Sequence, residues 1–217
     1  MSWLLLLVSY LVGAIPSSFV GGRLVRGIDL RQHGSGNLGA TNAFRVLGWK
    51  VALPVVIFDV GKGWFPTWAF PAWDGVGQAS AATAAAGPDG WAFAYGCAAI
   101  LGHAFSPYVA FKGGKGVATS SGMLIALAPW GVLAGFVTWI ALVFTTRIVS
   151  VSSIAAALVV PIAVAFVYGI GPVFWVCVAV AAFVIFAHRS NLKRLARGEE
   201  PRFGRKAGES PGPGVRA

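Results

Sequence analysis

Charged side chains are what this sequence has least of. They make up 11% of its 217 residues, against about 25% in soluble domains, and that shortage excludes an ordinary water-soluble globule. Cysteine is nearly missing. The two present, Cys97 and Cys177, lie inside apolar runs, so the chain offers neither a thiolate metal spacing nor a disulfide framework. No basic residue precedes the first apolar run and no small-residue cleavage site follows it, so that run reads as a retained span and not as a signal peptide. There is no internal repeat between the halves, and no Ser-His-Asp set is evident. The length suits one bundle without a large soluble domain.

What is present is apolar surface. Hydrophobic residues reach 57% and mean hydropathy is +0.74, the composition of an integral membrane protein. The formal charge of +10 is uneven, with eight of the 17 basic residues from Arg189 onward. Cations that flank apolar spans, instead of covering a folded face, argue against nucleic acid as the partner. A span needs about 20 apolar residues. The runs are Trp3 to Val20 with Pro16 inside, Gly48 to Phe70, Gly90 to Phe111, Val151 to Tyr168, and Val173 to Ala187. Between them, Val117 to Phe144 is 28 mostly apolar residues broken by Pro129.

Parity resolves that long run. Counted as two spans hinged near Pro129, it places Arg147 and the basic tail on the side of the other basic loops, as the positive-inside rule requires. The expected fold is therefore all-α, a polytopic bundle of seven transmembrane helices, N-terminus outside and C-terminus cytoplasmic. The linker Pro71–Asp89, which carries no Lys or Arg, then faces outward. Residues 1–198 form one transmembrane domain, and 199–217 are expected as a disordered, basic, Pro/Gly-rich tail drawn to anionic lipid.

Two polar stretches stand out. Gly34-Ser-Gly-Asn-Leu-Gly-Ala-Thr-Asn42 packs three glycines, two hydroxyls (Ser35, Thr41) and two amides (Asn37, Asn42) into nine residues, with Arg45 one helical turn beyond Thr41. Such a density of donors suits an oxyanion-rich ligand such as a phosphate ester, with Arg45 able to hold it bidentately. A loop of plain turns is the bland alternative. Gly113-Gly-Lys-Gly-Val-Ala-Thr119, preceded by Phe111-Lys112, is a doubly basic glycine-rich turn. Its backbone N–H groups, Lys112, Lys115 and a helix start near Gly116 would together cradle an anion. It lacks the Walker A spacing. A flexible loop with lysines at lipid headgroups is the competing reading.

Other candidates are isolated. Asp59 and Lys62 sit three apart within a span, where a charge costs about 2.5–3.5 kcal/mol, so they are expected to face inward as an internal ion pair, with a direct role in substrate binding as the alternative. His103 near the end of the third run is either catalytic or a cross-helix hydrogen-bonding group. Ser150 and Ser153 share a helix face, as do His188 and Asn191. His33 has no special role. Gly131 and Gly135 are a small-residue pair that would pack helices within a bundle or between subunits.

Together these stretches resemble the bacterial glycerol-3-phosphate acyltransferases that take acyl phosphate as donor (the PlsY family). The match lies in Gly34 to Asn42 with Arg45, in Gly102-His103 followed by Phe111 to Thr119, and in His188-Arg-Ser-Asn-Leu192. The resemblance implies an enzyme of the inner membrane with its motifs on the cytoplasmic side. It implies transfer of an acyl group from acyl phosphate to glycerol 3-phosphate, giving lysophosphatidate and phosphate. No metal, coenzyme A or acyl carrier protein is implied. The HxxxxD box of the other large glycerolipid acyltransferase class is missing. Gly34, Ser35, Gly36, Asn37, Gly39 and Thr41 are then expected at the acyl phosphate. Arg45, Lys112, Gly113, Gly114, Lys115, Ser150, Ser153, His188 and Asn191 are expected at glycerol 3-phosphate. Ser35 and His188 are the catalytic candidates, with the donor's own phosphate oxygen as the alternative base. A membrane transporter for a phosphorylated solute is the rival class.

Overall fold

Pro16 sets the first event in the architecture. It has no N–H and drives the residue before it out of the helical region, so the first apolar run splits into α1 (Ser2–Ala14) and α2 (Ser17–Arg26). The split takes the carbonyls of Ala14 and Ile15 out of the regular ladder. Ser106 Oγ donates to the first at 2.5 Å and Lys62 Nζ to the second at 2.9 Å, as buried acceptors require. The computed structural model describes residues 1–75 and 90–203.

After a short 3₁₀ turn at Leu30–Gln32 come α3 (Ala40–Leu47) and α4 (Trp49–Trp73). Then follow α5 (Gly90–Ala104), α6 (Val117–Leu127), α7 (Pro129–Thr146), α8 (Val149–Tyr168), α9 (Pro172–Ala187) and α10 (Arg189–Ala196). No strand occurs among the described residues. Every expected apolar run carries a helix, and Val117–Phe144 is two helices that meet at Ala128-Pro129. Ser2–Arg26, Pro129–Thr146 and Val149–Tyr168 are each long and apolar enough to cross a bilayer; α9 with α10, bent by 55°, adds a fourth.

Some boundaries differ from those expected. The helix of the third run stops at Ala104, because Pro107 opens a 3₁₀ turn and Ala110 and Phe111 then take left-handed conformations. Residues Pro71–Trp73 of the expected linker extend α4, and 76–89 lie outside the described residues. Of the expected tail, 199–203 are described, and 204–217 lie outside.

Burial is inverted relative to a soluble protein. Phe144 and Phe166 are 79% and 87% exposed, whereas Ser18, Asp59, Lys62 and Thr67 are buried. Large apolar side chains face the lipid, and small residues line the helix contacts. A side chain added at Gly13 or Gly102 would strike backbone across the α1–α5 contact, and one at Gly63 or Gly122 would do so across α4–α6. Gly131 and Gly135 pack against Val164, Val160 and Ala156 of α8, so that pair serves the bundle interior. Gly122→Val is expected to yield no monodisperse protein in mild detergent, because Val60 and Trp64 backbone occupies the space. Gly61→Val, with nothing within 4 Å, should extract like the wild type in the same gel-filtration assay.

Candidate functional site

Three helix termini meet at one end of the bundle: the starts of α3 and α6 and the end of α9. Neither start has a side-chain cap, so their first N–H groups are free to meet an anion. Between α3, α4, α6, α7, α8 and α9 lies a cavity of about 700 Å³.

Asn42 shapes the first wall. It is buried, its Oδ1 accepts Ser35 N–H at 2.8 Å, and its Nδ2 donates to the carbonyls of Leu30 and His33 at 3.2 and 3.0 Å. Gly34 (φ +61°) has Asn42 Oδ1 where a side chain would begin. The amide thus staples the loop and is not spare for a ligand. Ser35, Asn37, Gly39, Thr41 and Arg45 line the cavity; Gly34 and Gly36 do not.

The glycine-rich turn contributes selectively. Lys115 and Gly116 line the cavity, whereas Lys112, Gly113 and Gly114 do not, and Lys112 is exposed. Lys115 Nζ donates to Asn191 Oδ1. Burial, reinforced by Arg194 and Arg45 and opposed by Glu200, pulls the Lys115 ammonium down to about 8. The protonated amine is the form that attracts phosphate. KM for a phosphorylated acceptor is therefore expected to rise as pH passes about 8, and a flat profile through that range would contradict Lys115 as its cation.

Ser150, Ser153, His188 and Asn191 complete the polar end. Trp139 Nε1 donates to Ser153 Oγ at 3.1 Å, leaving the Ser153 hydroxyl proton for a ligand. His188 Nδ1 lies 2.8 Å from the Val184 carbonyl. A carbonyl only accepts, so the proton sits on Nδ1 and Nε2 is left as an acceptor. Burial and then the nearby Lys115 charge push the His188 imidazole down to about 4. At neutral pH it accepts a hydrogen bond but holds a proton weakly.

Two participants, Glu200 and the Arg194 that donates to it, were not among the sequence candidates. Glu200 lines the cavity and accepts from Ser150 Oγ at 2.8 Å, Asn191 Nδ2 at 2.5 Å and Arg194 Nε at 2.8 Å. Burial alone would raise its carboxyl, but these donors outweigh it and hold the group below the usual range. Phe203 anchors the same segment, stacking on Phe44 at 5.1 Å and donating its N–H to the Arg147 carbonyl at 2.6 Å. Its only sequence signal was position, an acid soon after a basic helix, and that is also how a tail begins.

Away from the polar end the same cavity is apolar. Leu124, Ile125, Pro129, Leu133 and Phe136 line it, and Ile125, Leu133 and Phe136 are 40%, 50% and 56% exposed on its outer lip. Asp59 and His103 line it from beneath. A polar pocket and an apolar trough in one space suit a reaction between a water-soluble phosphate and a lipid-like chain.

That is the class the comparisons define. A family model described as glycerol-3-phosphate acyltransferase matches residues 3–198. The chain belongs to this family of integral membrane acyltransferases. The glycerol-3-phosphate acyltransferase of Chlorobaculum tepidum is 40% identical over 232 residues, covering 93% of this chain and 97% of its own. That of Synechococcus elongatus is 41% identical over 203 residues, covering 92% and 93%. Among solved structures the fold is similar to PlsY (YgiH), an integral membrane glycerol 3-phosphate acyltransferase. Its glycerol 3-phosphate form has a TM-score of 0.79 and 33% identity, covering 94% of this chain and 96% of that one. Its lysophosphatidic acid form has a TM-score of 0.80, with 94% and 95% covered.

Proposed function

We propose that this protein transfers the acyl group of an acyl phosphate to the 1-hydroxyl of sn-glycerol 3-phosphate, releasing 1-acylglycerol 3-phosphate and phosphate. The observation that carries this reading is the single cavity in which Lys115, Arg45, Ser35 and two uncapped helix starts adjoin an apolar trough. The solved relatives carry glycerol 3-phosphate in one form and lysophosphatidic acid in the other, a water-soluble acceptor and a chain-bearing product.

In this reading Ser35, Thr41 and the N–H groups at the start of α3 hold the donor phosphate. Lys115, Arg45, Ser150, Ser153 and Asn191 receive the acceptor, and His188 Nε2 accepts its hydroxyl hydrogen bond. The hydroxyl oxygen attacks the acyl carbon, the bond from that carbon to the phosphate oxygen breaks, and the proton leaves with the inorganic phosphate. The donor's phosphate oxygen, which leaves as inorganic phosphate, is the final proton acceptor in this reading. Catalysis then rests on positioning and charge neutralisation. The acyl phosphate is already activated, so neither coenzyme A nor acyl carrier protein is needed.

The membrane reading keeps seven spans in the inner membrane, N-terminus outside, with the polar end of the cavity at the cytoplasmic face. Single cysteines near Asn37, Gly114 and Asn191 should all label from the cytoplasmic side; labelling from both sides would favour the transporter. The reaction is tested by phosphate release from palmitoyl phosphate with and without glycerol 3-phosphate, beside palmitoyl-CoA. Acceptor-dependent release with lysophosphatidate as product supports the reading. Turnover of the CoA ester alone overturns the donor.

A further inference from the structure

The intramembrane polar groups Asp59, Lys62 and His103 are all buried, and the reaction above uses none of them. Asp59 Oδ1 accepts from Ser17 Oγ at 2.7 Å and from Lys62 Nζ at 2.7 Å. Lys62 also caps the Ile15 carbonyl at the break between α1 and α2. Lys62 therefore has a structural task, and Asp59 balances its charge. His103 is left over, and its surroundings suggest a different task.

His103 Nδ1 lies 3.7 Å from Asp59 Oδ1. On its other side the imidazole reaches the glycine-rich turn. A side chain at Gly114 would run into His103 Nε2 and come within 3.1 Å of the Leu38 carbonyl. The turn is also bonded to the end of α5, Gly113 N–H to the Ala104 carbonyl and Gly114 N–H to the His103 carbonyl, each at 3.1 Å. Gly114 is thus the point where α5, the glycine-rich turn and the loop through Leu38 touch. The next residue is Lys115. Asp59 and His103 line the cavity, and Lys62 does not.

We propose that Asp59 and His103 are a buried positioning pair for the acceptor: packed beside Asp59, the His103 ring supports the turn at Gly114 and thereby sets where Lys115 presents its ammonium to glycerol 3-phosphate. The proposal rests on the reading of the cavity as an acyltransferase site with Lys115 at the acceptor phosphate. The ring lies between the Asp59 carboxylate and the Gly114 backbone, which leaves it little room to move.

The test is steady-state kinetics of the full chain in lipid nanodiscs, varying each substrate with the other saturating. His103→Ala is expected to raise KM for glycerol 3-phosphate by about tenfold or more, with kcat within about threefold and KM for palmitoyl phosphate unchanged. His103→Gln, long enough to reach the turn, should recover part of that rise. Asp59→Asn should show the same split, and combining it with His103→Ala should add little, as for two members of one unit. A purely structural role would lower the folded fraction and leave both KM values alone. That result overturns the proposal, as does a fall in kcat without a change in KM, or additivity of the two substitutions. If His103→Ala does not fold, His103→Gln and Asp59→Asn decide; an unchanged acceptor KM in either overturns the pair. Wild type without acceptor-dependent turnover overturns the functional reading instead, and active wild type with unmoved variants overturns the pairing alone.

Discussion

Lys115→Met is expected to cut kcat/KM for glycerol 3-phosphate by about two to three orders of magnitude, the scale seen when one preorganised donor to a charged group is removed. Lys115 is the lysine of the glycine-rich turn that lines the cavity, and its Nζ already reaches Asn191 on the opposite wall. Methionine keeps the length and apolar stem, so the fold should survive. Lys112→Met is the control. That side chain is exposed and lies off the cavity, and its loss should change kcat/KM by less than about twofold, as at other solvated charges. Equal losses in the two variants would show that the turn acts as a diffuse cation and not as one aimed ammonium.

Glu200→Gln should reduce turnover by about a hundredfold, because a buried acceptor of charge-assisted bonds is replaced by a neutral amide with its own hydrogens to place. Three donors, from Ser150, Asn191 and Arg194, converge on that carboxylate. Ser150 and Asn191 line the cavity and are proposed to receive the acceptor, so their orientation would be lost with it. There is a second signature. The Glu200 charge supports the Lys115 ammonium against burial. Without it the amine gives up its proton more readily, so the alkaline limb of the acceptor KM profile should move to lower pH. A variant with reduced activity but an unmoved limb would remove Glu200 from the electrostatics of Lys115. Ending the chain after Gly198 should reproduce the loss, whereas ending it after Phe203 should not.

The helices were legible because lipid makes hydrophobicity continuous, and Pro16 and Pro129 mark their own breaks. Donor density singled out Ser35, Thr41 and Arg45 without any knowledge of what they face. Spacing could not show that Asn42 is consumed in stapling its own loop, since an amide that binds a ligand and one that binds backbone look alike in a sequence. The two lysines of the glycine-rich turn were equivalent on paper. Only the folded turn tells them apart, with Lys112 exposed and Lys115 on the cavity wall. Glu200 was illegible for a different reason. Its partners lie six, nine and fifty residues away, and one acid after a basic helix carries no periodicity. The Asp59–Lys62 pairing was expected from a spacing of three, and the structure has it at 2.7 Å. His103 joined them only through tertiary packing.

The exposed lip formed by Ile125, Leu133 and Phe136 has a kinetic meaning. A chain that reaches the trough through that side never passes through water, where each methylene costs about 0.8 kcal/mol. Its effective concentration is a mole fraction in the bilayer, not a molarity. With the proposed acyl phosphate as donor, adding inert phospholipid at constant enzyme and donor is therefore expected to dilute the donor and slow the reaction. The same addition leaves the soluble acceptor at its working concentration. The two substrates obey different concentration scales, and the enzyme is the place where a two-dimensional solution meets a three-dimensional one.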